Sequence, residues 1–159
     1  MKSKIIIIVT SWLMVVLSML IIYNFSSQNA ETSSETSGGV IKDILEVVMP
    51  EEEITDEVVK NFQPPIRKIA HFSVFMLLGF CLINAFQKSF NFSLILINVF
   101  SLIAVVLYAC LDEFHQNFVE NRGPSFKDVL IDSSGGLVGI LLFTLMIFVI
   151  KKLKLNRVS

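Results

Sequence analysis

Four long apolar runs dominate this chain: residues 5–23, 69–87, 89–111 and 129–150. Each meets the roughly 20-residue length that a helix needs to cross a bilayer's hydrocarbon core. Inside hydrocarbon the backbone must satisfy its own hydrogen bonds, so each run is read as a helix. The first and third carry no charge, the second carries only His71, and the fourth is broken only by Asp132 near its start. The expected fold is an all-α membrane protein, a bundle of four transmembrane helices forming one domain over residues 1–159. Composition agrees, with 53% hydrophobic and 17% charged residues and a mean hydropathy of +0.70. Soluble domains average about 45–50% apolar and about 25% charged, which argues against a water-soluble globule and against disorder over most of the chain.

The net charge of −1 hides an asymmetry. With the N-terminus inside, the cytoplasmic parts carry Lys2, Lys4, Lys88, Lys151, Lys152, Lys154 and Arg157 and no acid. The other side then holds all 14 acids and the remaining six of the 13 basic residues, giving +7 inside and −8 outside. The positive-inside rule therefore predicts both termini in the cytoplasm, with loops 24–68 and 112–128 external, in a multi-pass cell-membrane protein. Residues 5–23 exceed the about 7–15 residues of a signal-peptide core, and no small-residue cleavage site follows, so this run is read as a retained anchor. Cys81 and Cys110 fall at different depths, too far apart for a disulfide, and are read as packing residues.

The segment between spans one and two opens with Phe25-Ser26-Ser27-Gln28 and a Ser/Thr/Glu/Gly stretch to Gly39 that reads as flexible loop. Two short amphipathic helices are expected after it, over residues 40–49 and 51–62, the first ended by Pro50 and the second by Pro64-Pro65. The Gly135-Gly136-Leu137-Val138-Gly139 sequence gives the spacing that lets helix backbones approach closely, and Gly79 is read the same way.

Three polar groups abut the spans, and alternation of direction puts all of them at the external end. Arg67, Lys68 and His71 open span two. Asp112, Glu113 and Gln116 close span three. Arg122, Lys127 and Asp128 precede span four, which contains Asp132. Residues three or four apart share a helix face, so Arg67 and Lys68 lie beside His71, Asp112 beside Gln116, and Asp128 beside Asp132. A lone acid at the hydrocarbon edge needs a partner, and Arg67, Lys68 and Arg122 are the expected ones for Asp132. Charges at span ends often only snorkel. The density and mixed sign of this set favour a functional polar pocket instead.

These residues carry a family resemblance. Phe25-Ser26-Ser27-Gln28, then Arg67-Lys68-x-x-His71-Phe72 leading to Leu78-Gly79-Phe80, then Tyr108-x-x-x-Asp112-Glu113-x-x-Gln116-x-Phe118-x-x-x-Arg122 continuing to Asp128-x-x-x-Asp132-x-x-Gly135, resemble the VanZ-like family of bacterial membrane proteins. The match runs from about residue 20 to 145. The namesake of that family is associated with resistance to the glycopeptide teicoplanin. The resemblance implies that the polar cluster is the working site, without naming its chemistry.

Three functions compete. In the first, Arg67, Lys68, His71 and Arg122, with Asp112, Glu113, Gln116, Asp128 and Asp132, bind a cell-envelope lipid or precursor headgroup, Arg holding a phosphate through its fork. Such binding would contribute to glycopeptide resistance. In the second, the protein is an intramembrane enzyme on such a lipid or peptidoglycan precursor, with His71, Asp112 or Glu113 as catalytic groups. Asp112, Asp128 and Asp132 would then be the oxygen ligands of any divalent cation. No hydrolase signature, metal motif or cofactor motif is present, and no cofactor is expected. In the third, the cluster is a set of interhelical ion pairs in a membrane assembly partner. The basic run 151–157 directly follows a span and reads as a topology anchor, not a nucleic-acid site.

Overall fold

The computed structural model describes residues 2–27, 38–39, 42–43, 45–48, 55–119 and 123–156. Four long helices organise them: α1 (Lys2–Ser27), α2 (Asp56–Ser89), α3 (Leu94–Gln116) and α4 (Phe126–Leu155). The described residues include no strand. Each helix is long and apolar enough to cross a membrane, with windows of mean hydropathy from 2.0 to 2.9. The chain is thus an all-α bundle of four transmembrane helices.

The helix starts follow from local chemistry. Thr55 caps α2, its hydroxyl accepting from the Val58 N–H at 3.4 Å, with Asp56 and Glu57 facing the positive helix end. Ser93 caps α3 in the same way through Leu96. Between α2 and α3 lie only residues 90–93, and Ser89 closes α2 rather than opening the third span as the apolar run suggested.

The proline pair does not end a helix. From Asp56 the helix runs through Pro64 and Pro65 into the apolar run of span two, so most of the amphipathic stretch over 51–62 is the first part of α2. The two prolines deprive the carbonyls of Lys60 and Asn61 of intrahelical donors. All four residues are exposed, so water can satisfy those carbonyls and the break is avoided. Residues 45–48 of the other expected amphipathic helix are also helical, and Leu45 is buried against Val59, Val58 and Ile66 of α2.

Helix α2 packs on α1, α3 and α4. Close approach of α2 and α4 depends on glycine: a Cβ at Gly79 would collide with the Gly136 carbonyl, and one at Gly139 with the Met76 carbonyl. Helix α1 buries a stripe of Ser11, Val15, Ser18, Ile22 and Ser26. Polar contacts tie these faces together: Trp12 Nε1 donates to Ser89 Oγ at 2.9 Å, and the Tyr108 hydroxyl to the Met19 carbonyl at 2.7 Å. In an apolar surround such bonds replace the hydrophobic drive that lipid removes. The outward faces expose Ile, Leu, Val and Phe, among them Ile95 and Leu145, as a lipid-facing surface requires. Cys81 is buried and Cys110 is exposed, both free, so Cys81 is the packing residue expected and Cys110 is not.

Candidate functional site

The polar residues of α2, α3 and α4 meet at one end of the bundle. Helix α3 continues past Leu111 to Gln116, which keeps Asp112, Glu113 and Gln116 on the inward side. Asp112, Glu113, Gln116 and Asp132 are 4%, 4%, 7% and 2% exposed, and His71 is 8% exposed. Arg67, Lys68, His71, Glu113, Gln116, Asp128, Ile131 and Asp132 line one cavity of about 320 Å³, counting the space at its mouth. The enclosed part of that space holds little more than a water molecule, and the rest lies open at the mouth.

The floor of the cavity is a network. Ser26 of α1 donates to Asp112 Oδ2 at 2.7 Å, and Gln116 Nε2 donates to the same oxygen at 3.2 Å. His71 Nδ1 lies 4.0 Å from Asp112 Oδ2 and 3.7 Å from Asp132 Oδ2. The buried Asp132 Oδ2 has no hydrogen-bond partner. Glu113 Oε2 accepts from the Ser125 N–H at 2.7 Å, which brings a carboxylate to the positive end of α4, while its Oε1 is buried and unpartnered. Nearer the mouth, Lys68 Nζ donates to Asp128 Oδ1 at 2.7 Å, joining α2 to α4. Among the described residues Arg67 makes no ion pair.

The expected residues are brought together, with one changed pairing. Among the described residues the nearest basic group to Asp132 is His71, not Arg67 or Lys68, and Lys68 is held by Asp128. Asp128 therefore stands apart from Asp112 and Asp132, and the close triad is His71, Asp112 and Asp132. Lys127 is exposed and lines no part of the cavity. Arg122 lies outside the described residues.

Two contributors were not expected from the sequence. Ser26 holds Asp112 from α1, and the Ser125 backbone holds Glu113. The signal for Ser26 was a hydroxyl in register with the serine-rich stripe 11, 15, 18, 22, 26. His115 sits beside this region, its ring 4.8 Å from that of Tyr23 and its Nε2 3.2 Å from the Ser27 hydroxyl.

Fold and site together define a multi-pass helical membrane protein with a mixed-charge pocket enclosed at one end of the bundle. The chain belongs to the VanZ/LLP1 family, whose model matches residues 11–148. No curated protein and no solved structure matches it significantly.

Proposed function

We propose that the pocket binds the phosphate-bearing headgroup of a cell-envelope lipid or lipid-linked precursor. The observation that carries this reading is Arg67: it lines the pocket and has no carboxylate partner among the described residues. A guanidinium in that setting offers a bidentate fork to a phosphate. Lys68 supplies a second positive charge, shared with Asp128. His71, Glu113, Gln116 and the aspartates orient the cations and meet polar groups of the sugar or peptide part. The charge asymmetry supports placing this end of the bundle outside and both termini in the cytoplasm of the cell membrane. Occupation of the headgroup at the outer surface would alter access of glycopeptides to their surface target, which is the proposed route to teicoplanin resistance.

The test is a susceptibility assay on cells expressing Arg67→Gln and Arg122→Gln, with insertion measured in parallel. Loss of the glycopeptide phenotype with normal insertion supports binding. Retention of the full phenotype in both variants overturns it.

A second reading, hydrolysis of the same kind of lipid, is favoured by Glu113 Oε1, which is buried, unpartnered and part of the pocket wall. A general base needs an unshared lone pair, which Oε1 would present to a substrate once its neighbours move aside. Turnover of a labelled lipid-linked phosphate by the purified protein, stopped by Glu113→Gln, would replace the binding reading with this one.

A further inference from the structure

We propose that His71, Asp112 and Asp132 form a binding site for one divalent transition-metal ion, Zn²⁺ or Mn²⁺, at the floor of the cavity. The site stands independently of what the cavity mouth binds. The three residues come from three helices, and one ligand atom from each lies within 4.8 Å of the others. Metal–nitrogen and metal–oxygen bonds of about 2.0–2.2 Å place two ligands of a tetrahedral ion about 3.3–3.6 Å apart. The separations from His71 Nδ1 to the two carboxylate oxygens are 4.0 and 3.7 Å, so an ion would draw the three side chains in by a few tenths of an ångström.

A second observation points to a cation. Asp132 Oδ2 is buried, with its side chain 2% exposed, and has no hydrogen-bond partner. A buried carboxylate oxygen left in this state is costly unless a cation meets it. Among the described residues Lys68 is held by Asp128, and the His71 imidazole stands 3.7 Å from Asp132 Oδ2, a spacing that leaves room for an ion to draw the two together. One nitrogen and two oxygens suit Zn²⁺ or Mn²⁺ better than copper or an all-oxygen calcium site.

The surroundings match a metal site as well. Ser26 and Gln116 hold the Asp112 carboxylate in place, as outer-shell donors do for metal ligands. Three protein ligands leave a fourth position open, the pattern of reactive rather than structural zinc sites. His71 and Asp132 themselves line the cavity, together with Arg67 and Glu113.

The experiment uses the full chain purified in detergent through a tag that contains no histidine. Bound metal is measured by elemental analysis, and thermal unfolding is followed with added Zn²⁺ or Mn²⁺ and then with chelator. The expected result is one ion per chain and a midpoint raised by about 5 °C at saturating metal, reversed by chelator. His71→Gln and Asp132→Asn abolish both signals, while His115→Gln, which removes the chain's other histidine, keeps them. Absence of bound ion and of any shift in the unmodified protein overturns the proposal. Binding that survives both triad variants, or that disappears in His115→Gln, also overturns it. The measurements on the unmodified protein decide the question even if a triad variant fails to insert.

Discussion

Ser26 and Lys68 show how differently two polar contacts of the same length weigh. Both bonds are 2.7 Å long, yet the first is buried and the second joins side chains that are 45% and 30% exposed. A hydrogen bond to a buried charged group contributes about 1.5–3 kcal/mol, and Ser26→Ala should destabilise the purified protein by that amount in thermal or denaturant unfolding. An exposed ion pair contributes at most about 1 kcal/mol, so Lys68→Ala should leave stability almost unchanged. If Lys68→Ala unfolds the protein, the cluster is interhelical scaffolding, and the double swap of Lys68 and Asp128 should then rescue it. The cluster itself was legible in the sequence because dense charge at span ends is unusual and because helix periodicity groups it. The partner of Asp132 was not legible. Sequence spacing fixes neighbours on one helix, whereas the His71–Asp132 contact depends on how α2 and α4 face each other.

At the scale of the element, glycine and proline decide the outcome in opposite directions. The Gly135–Gly139 spacing announced a close helix contact, and the backbones of α2 and α4 do meet there. Gly136→Leu inserts a side chain where Val105 already sits and should cost at least the about 1–3 kcal/mol of an overpacked core. Its readout is the unfolding midpoint together with the loss of whatever ligand or metal the pocket holds, since α2 and α4 position its walls. Pro64 and Pro65 were read as a stop, because a proline inside a helix removes a hydrogen bond. Their exposure relieves that cost, which no reading of the residue types alone conveys. Replacing both with alanine restores two intrahelical bonds and should leave thermal stability unchanged or higher. A marked loss would show that the pair shapes the entry of α2 into the membrane.

Across the whole molecule, the four spans were legible from length and apolar character, and their order from alternation. Orientation is a separate matter, since the bundle's packing is the same whichever way it is inserted. The proposed topology rests on the +7 and −8 partition of charge. In a background with Cys81→Ala and Cys110→Ser, a single cysteine at Lys127 should react with a membrane-impermeant maleimide in intact cells, and one at Lys2 should not. The reverse pattern would move the pocket to the cytoplasmic face and would remove the glycopeptide connection.

The central claim is that Arg67 and its neighbours hold a phosphate-bearing lipid headgroup in the cavity. Native mass spectrometry of the purified chain with a polyprenyl phosphate tests it most directly. The unmodified protein should retain one such lipid, and Arg67→Gln should weaken retention by about 10–100-fold, the equivalent of one charge-assisted hydrogen-bonded contact. Equal retention by the two proteins would contradict it.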